Sequence, residues 1–338
     1  MLSLAARFYC DTDVLAREQR TIFRRNWQLV GSTDALSGSG DHVVGELGGT
    51  PVIVVRGADG ELRAFHNVCR HRAGPLALQD GRGAKALHCK YHGWTYTLNG
   101  QLRSAPEMQD AEDFDVSEIC LPPARVAQWS SLVFGALDAD APALDEVLDG
   151  IAPQAKATFS MPLRFDRRVS YELACNWKVY VDNYLEGYHL PHIHPALNRL
   201  LDYRSYTTTC ARWHSLQHSP IEGADNPYGE GEAYYYFVWP NTMLNCLPGR
   251  LQTNRVVPLA VDRCRVDFDY YYPAAATSDA QQEQDRQFSD QVQIEDAAIC
   301  EAVQKGLASG SYEAGRLNPK RETGVMHFHD LLRAAYAQ

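Results

Sequence analysis

Apolar and polar positions along the chain follow two textures. From about Trp27 to Leu137, short β-branched runs are broken by turn residues. The runs His42 to Leu47, Pro51 to Arg56, Leu62 to Asn67 and Ser131 to Leu137 predict strands. Ala58-Asp59-Gly60 and Leu98-Asn99-Gly100 predict hairpin turns. After a stretch rich in Ala, Pro, Asp and Gly from Asp138 to Gln154, strand texture returns. It covers Leu163 to Leu173, Tyr203 to His218, Glu232 to Leu247, Leu251 to Leu259 and Arg263 to Tyr272. In the last of these, Val266, Phe268, Tyr270 and Tyr272 alternate with Asp267, Asp269 and Tyr271, which predicts a half-buried strand. Helical patterns occupy Asp13 to Trp27, Asn176 to Tyr188 and about Ser278 to Leu307. The expected class is α+β: a small antiparallel β domain, then an antiparallel sheet with segregated helices.

Length and charge narrow this picture. A chain of 338 residues favours two domains. The texture changes divide it into an N-terminal helical segment, 1–27, a β domain, 28–140, and a second domain, 141–338. A net charge of −10, from 32 basic and 42 acidic residues, disfavours a nucleic-acid partner. No run reaches ~18 apolar residues, so no membrane span is expected. The first twenty residues are charged and lack a long apolar run, and a cytoplasmic location is expected. Nine cysteines, an odd number scattered singly, suit reduced thiols or metal ligands better than a disulfide framework.

Two constellations carry chemistry. In the first, Cys69-Arg70-His71 is followed, after seventeen residues, by Cys89-Lys90-Tyr91-His92. Two thiolates and two imidazoles suit either tetrahedral zinc or a [2Fe–2S] cluster of mixed ligation. A Cys2His2 finger pairs Cys with Cys and His with His, whereas each loop here supplies one of each. In the second, Asp182, Glu186 and His189 fall within about 60° of one another on a helix. His194 would lie about 140° from His189 on a straight helix. Pro191 is therefore expected to end or bend the helix and bring His194 back. Two His and a carboxylate leave open positions on a non-haem iron. His192 lies in the same stretch and competes as a ligand. A distant carboxylate is needed as well. Glu295 and Asp296 flank the apolar stripe Phe288, Val292, Ile299 and Val303, about 50° to either side, and periodicity does not choose between them.

The pairing within the first motif and its Tyr91-His92-Gly93-Trp94 context resemble the Rieske iron–sulfur domain. The stretch Asp182-x3-Glu186-x2-His189-x4-His194 resembles the catalytic-domain motif of Rieske non-haem iron oxygenases. The segment Ile294 to Glu301 resembles that family's C-terminal helix. Together these likenesses cover nearly the whole chain.

The resemblance implies a Rieske antiparallel β domain plus a helix-grip catalytic domain, with the N-terminal segment packed on the latter. It implies a [2Fe–2S] cluster on Cys69, Cys89, His71 and His92, and mononuclear Fe(II) on His189, His194 and Asp296. Glu186 would link this iron to a cluster histidine of a neighbouring subunit, with Asp182 behind it. The implied protein is a terminal oxygenase component, usually a head-to-tail homotrimer. Its cosubstrate would be O2, and its electrons would come from a separate NAD(P)H-dependent reductase, sometimes via a ferredoxin. The chain looks most similar to choline, carnitine and betaine-type oxygenases. The expected reaction is hydroxylation or oxidative N-demethylation of a small organic substrate, with quaternary ammonium compounds as the candidate class. The alternatives are a ring-hydroxylating dioxygenase alpha subunit and a plain Rieske electron carrier. Eight aromatic residues, among them Tyr206, Tyr235 and Trp239, are candidates to cage an ammonium group or to fill the core.

Overall fold

The computed structural model of the protein describes residues 1–221, 231–273 and 278–337. It divides into two compact units, residues 22–144 and residues 1–21 with 145–338. Residues 22–27 and 141–144 thus go with the strand-rich unit. Phe23 and Trp27 are buried in it, and Trp27 Nε1 donates to the Pro142 carbonyl at 2.7 Å.

The expected helix over 13–27 is broken. The chain forms α1 (Arg7–Cys10) and α2 (Thr12–Thr21), then a 3-10 turn at Phe23–Arg25. The pattern ends early because Ile22 and Phe23 are taken into the core of the strand-rich unit.

That unit carries β1 (Gln28–Ser32), β2 (His42–Leu47), β3 (Thr50–Arg56), β4 (Leu62–His66), β5 (Leu87–His88), β6 (Thr95–Tyr96), β7 (Leu102–Ser104), β8 (Pro123–Trp129) and β9 (Leu132–Ala136). Six strands form an antiparallel sheet in the order β1-β9-β8-β4-β3-β2, and β5-β6-β7 form a second, smaller sheet. Strand β3 divides two cores. Successive side chains of a strand point to opposite faces. Val52 and Val54 join a cluster with Val30, Val43 and Val133. Ile53 and Val55 join the other, which contains Cys69, Cys89, Trp94 and Tyr96. The second core therefore holds the two loops that carry Cys69 and Cys89.

The second unit continues with α3 (Leu144–Val147), α4 (Ile151–Gln154), α5 (Lys156–Phe159), β10 (Leu163–Leu173), α6 (Trp177–Tyr184), α7 (Leu190–Ile193) and α8 (Pro195–Asn198). It then runs through β11 (Thr207–Cys210), β12 (His214–Ile221), β13 (Gly231–Val238), β14 (Thr242–Leu247), β15 (Arg250–Ala260), β16 (Arg263–Pro273), α9 (Asp279–Ala308) and α10 (Thr323–Tyr336). Seven strands form one antiparallel sheet in the order β10-β16-β15-β14-β13-β12-β11. The fold class is mixed α+β, with α9 packed against α6 and β10.

Two sequence expectations change here. Strand β16 is not half buried: Asp267 and Asp269 are 3% and 1% exposed. Each is paired across the sheet. Asp269 accepts two bonds from Arg168, at 2.6 and 2.7 Å, and Asp267 accepts from Ser170 and Arg255 at 2.7 and 2.9 Å. An alternating pattern reports polarity, and a central strand can bury its polar face when charges are matched. Likewise the apolar stripe of α9 is only in part its buried face: Phe288 and Val292 pack against the core around Leu190, Leu197 and Leu247. Val303 is 44% exposed, while Gln293, Cys300 and Gln304 are buried. The glutamines are satisfied: Tyr180 Oη donates to Gln293 Oε1 at 2.7 Å, and the Asn176 N–H to Gln304 Oε1 at 2.9 Å.

The N-terminal residues are tied to this unit by charge. Glu18 and Lys178 are both fully buried and paired at 2.7 Å. Glu18 also accepts from Trp177 Nε1 at 2.8 Å. No described helix is long and apolar enough to cross a membrane.

Candidate metal centres

In the strand-rich unit, two loops present the Cys-x-His and Cys-x2-His residues. The first closes on itself with Ala73 N–H to Cys69 O at 3.1 Å and Cys69 N–H to Gly74 O at 2.8 Å. The second does the same with Gly93 N–H to Cys89 O at 3.0 Å and Cys89 N–H to Trp94 O at 2.9 Å. Gly93 has a φ of +77°, which glycine adopts at least cost. The loops meet closely: a Cβ on Gly74 would stand 2.9 Å from Cys89 Sγ.

Cys69 and Cys89 are buried, whereas His71 and His92 are exposed. The two imidazoles are 4.5 Å apart, and His71 stacks on Trp94 at 4.8 Å. Tyr96 Oη lies 3.3 Å from Cys69 Sγ and accepts from the Arg70 N–H at 2.9 Å. Paired thiols below and paired imidazoles above fit a two-iron cluster with one iron on each pair. A single tetrahedral ion has no use for that segregation. His66 and His88 stay outside the group: His88 Nδ1 bonds Thr95 Oγ1 at 2.9 Å, and His66 lies on β4.

In the second unit, His189, His194 and Asp296 bring one donor atom each within 4.8 Å of one another. Among the described residues of this unit, these are the side chains whose donor atoms converge closely enough for one ion. Asp296 Oδ1 lies 2.9 Å from His194 Nε2 and 3.8 Å from His189 Nε2. With metal bonds of ~2.1 Å, neighbouring donors in an octahedron sit about 3 Å apart, so these edges suit one shared ion. His192 is exposed and outside the group.

The helix expected to run through Tyr188 stops at Tyr184. Pro191 does not end a helix but stands in the first turn of α7, where its missing N–H costs nothing. His189 and His194 are the residues flanking α7, and its single turn brings their rings to 5.1 Å. Glu186 makes the corner. Its carboxylate accepts from the N–H groups of Tyr188 and His189, and bonds His189 Nδ1 at 2.7 Å.

Glu295 plays the matching part for the other ring. It bonds His194 Nδ1 at 2.7 Å, a contact that helical periodicity does not announce. Each imidazole is thus held by a carboxylate on Nδ1, which leaves Nε2 for the metal. Asn183 Nδ2 donates to Asp296 Oδ1 at 2.6 Å. Burial lowers the His194 pKa, but Asp296 and Glu295 outweigh it and raise the value overall. The donor set is a cation site.

Asp182 is placed differently from expectation. It does not sit behind Glu186 on a common helix face. Its carboxylate accepts from Tyr9 Oη at 2.6 Å and bonds His329 Nε2 at 3.0 Å. Tyr9 and His329 lie 173 and 147 residues away, and no local signal announces them.

A cavity of about 110 Å³ opens on His189, His194 and Asp296. Tyr180, Tyr184, Tyr206, Tyr235 and Phe268 line it, with the carboxylates of Glu186 and Asp296. Of the eight candidate aromatics, Tyr206 and Tyr235 reach it, whereas Tyr236 and Phe237 are buried in the core. No lysine or arginine lines it among the described residues. Tyr235 Oη, Asn254 Oδ1 and Gln293 Nε2 are buried on this lining without a hydrogen-bond partner.

Comparison with known proteins agrees with this geometry. Residues 26–120 match the Rieske [2Fe-2S] domain, and residues 161–338 match the ring hydroxylating alpha subunit (catalytic domain). The chain is 37% identical to a chloroplastic choline monooxygenase of Arabidopsis thaliana, over 96% of this chain and 81% of that one. It is 30% identical to a carnitine monooxygenase oxygenase subunit of Escherichia coli, over 99% and 94%. A solved quaternary ammonium Rieske monooxygenase superposes with a TM-score of 0.92 at 27% identity, covering 99% of this chain and 95% of that one. A naphthalene 1,2-dioxygenase shares the fold, with a TM-score of 0.82 at 20% identity and coverage of 100% and 93%.

Proposed function

The chain belongs to the family of Rieske non-haem iron oxygenase alpha subunits, and from that premise we propose that it hydroxylates a small quaternary ammonium alcohol. The observation that carries this reading is the lining of the cavity. Aromatic walls and two carboxylates attract an onium group. Without a lysine or arginine among the described lining, a substrate carboxylate finds no counter-ion. The unpartnered Tyr235 Oη, Asn254 Oδ1 and Gln293 Nε2 offer a donor, an acceptor and a second donor, which suits a hydroxyl. The 37% identity to a protein named choline monooxygenase supports the same reading.

When bound, the cluster passes single electrons and the mononuclear iron activates dioxygen. The chain's own part is to hold and to exclude. Glu186 and Glu295 keep both imidazoles turned with Nε2 inward. Asn183 fixes the rotamer of Asp296. Burial raises the pKa of Tyr184 and Tyr206, so both rings stay neutral and offer the onium their π faces. Cys69, Cys89, His71 and His92 hold the cluster in this reading, and His189, His194 and Asp296 the iron.

The rest of the reading concerns assembly. A relative named as an oxygenase subunit supports a separate reductase, fed by NAD(P)H, as the electron source. A head-to-tail trimer would bring a neighbour's cluster histidine to Glu186. A cytoplasmic location is our reading for this chain, although several relatives are named chloroplastic.

Single turnover of the reduced holoprotein with O2 tests the substrate. Choline should be converted to its aldehyde, with carnitine and an aromatic carboxylate converted at least about tenfold more slowly. That ratio corresponds to roughly 1.4 kcal/mol of discrimination. A ring-hydroxylated product, or carnitine turnover equal to choline, would sink the reading. Formaldehyde as the main product would redirect it to N-demethylation.

A further inference from the structure

The cleft between α9 and the sheet continues past the metal ligands and ends in a pair of charges. On α9 the cavity is lined by Ser289, Val292, Gln293 and Asp296. Asp285 stands on the same face, one turn before Ser289 and about 16 Å along the helix from Asp296. On β15 the lining residues are Gln252 and Asn254. Side chains of a strand alternate, so Arg250 is the next residue on that face, about 7 Å from Gln252. Helix and sheet thus each put a charge at one end of the cleft, and the two meet: Arg250 Nη1 pairs with Asp285 Oδ1.

The pair is 7% and 6% exposed, and neither residue is on the lining. Tyr272 Oη donates to Asp285 Oδ2 at 2.8 Å. Both charges are nevertheless felt at the cavity wall. Burial raises the pKa of Tyr235, the Arg250 guanidinium lowers it and the Asp285 carboxylate raises it again. A buried ion pair is often no more stable than an apolar pair of the same volume, so stability alone does not account for this one.

We propose, on the reading of the cavity as an onium site, that the Arg250–Asp285 pair selects against substrates that carry a carboxylate. An arginine stands within reach of the far end of a substrate, and Asp285 holds it. To use that arginine, a substrate carboxylate must displace Asp285 and leave it charged in the interior without its cation, which is strongly unfavourable. An alcohol-ended substrate leaves the pair intact. Discrimination then comes from the charge that the wrong ligand would strand. A neutral residue at 285 removes the obstacle and turns Arg250 into a counter-ion for the carboxylate.

The test is equilibrium dialysis of labelled carnitine against the oxygen-free holoprotein, with iron content and thermal melting recorded for each variant. Asp285→Asn should bind carnitine about tenfold more tightly than wild type. Adding Arg250→Met to Asp285→Asn should take the gain away. Equal affinity in wild type and folded Asp285→Asn would overturn the proposal, and so would a gain that survives Arg250→Met. The apolar pair Arg250→Met with Asp285→Leu strands no charge and decides the matter if the single variant fails to fold. It should bind carnitine no more tightly than wild type, and tighter binding overturns the role of Arg250. Choline turnover by the wild type is read separately: its absence sinks the onium reading, whereas unchanged carnitine binding sinks the role of the pair.

Discussion

The two metal centres are built on opposite plans. The cluster cradle is local: two short loops, each closed by its own backbone hydrogen bonds, hold a Cys inward and a His outward. The iron site is long-range: His194 and Asp296 are 102 residues apart and meet only because α9 packs against α6. In the first, the backbone positions the ligands. In the second, other side chains do, through Glu186, Glu295 and Asn183. A local cradle should fail alone, whereas a long-range one should fail with the packing around it.

The largest effect comes from the ligands. Cys89→Ser should abolish the visible spectrum of the cluster and all turnover, yet leave the mononuclear iron in place by metal analysis. His189→Ala should do the reverse. Loss of both centres in either variant would break the contrast. Next is Lys178→Met, which strands the fully buried Glu18 carboxylate without its cation. A cost of about 3–5 kcal/mol is expected. Differential scanning calorimetry should show the catalytic unit melting earlier while the cluster's spectral transition stays put.

Smaller again is Glu295→Gln. It leaves the three ligands untouched and weakens only the hold on His194 Nδ1. Iron affinity should fall by ~10–100-fold, read by competition with a chelator. An unchanged affinity would mean that side-chain support is dispensable. The smallest effect is a shared one. Burial pushes the Asp41 carboxyl up, but the N–H groups of Gly38 and Gly83 and the Arg82 guanidinium bring it down to about 2. Asp267 is likewise raised by burial and brought to about 2 by Arg255, Arg265 and Ser170. Their folded values lie below the ordinary carboxylate value. Their stabilisation is therefore complete above about pH 4 and is lost as pH falls toward 2. Asp41→Asn should flatten the acid limb of cluster loss, and Asp267→Asn that of the catalytic unit, each without moving the other.

Legibility followed the same division. The Cys-x-His and Cys-x2-His pattern was readable because the residues proposed to hold the cluster lie in two short stretches of chain. His189 and His194 were readable too, but the route between them was not: the expected helix ends at Tyr184, and Pro191 begins one. The role of Glu295 was not legible, because helical periodicity places a residue on a face, does not tell it from Asp296, and says nothing of what packs there. Asp182 shared a calculated face with Glu186, and the partners that claim it, Tyr9 and His329, carry no local mark.

By itself, the sequence determined the two Cys/His and His/carboxylate motifs, the antiparallel texture of both units and the approximate limits of β2, β3, β4, β9, β10, β15 and β16, all set by near-neighbour chemistry and short-period patterns, whereas β1 and β5 to β8 carry no such signal and β11 with β12, and β13 with β14, read as single strands. Only the tertiary structure decided which polar residues are buried. Asp267, Asp269, Gln293 and Gln304 look like surface and lie inside, each matched by a partner distant in the chain or across a strand. The physical reason is that a polar side chain's burial depends on whether a complementary group meets it, and that meeting is a property of the folded chain.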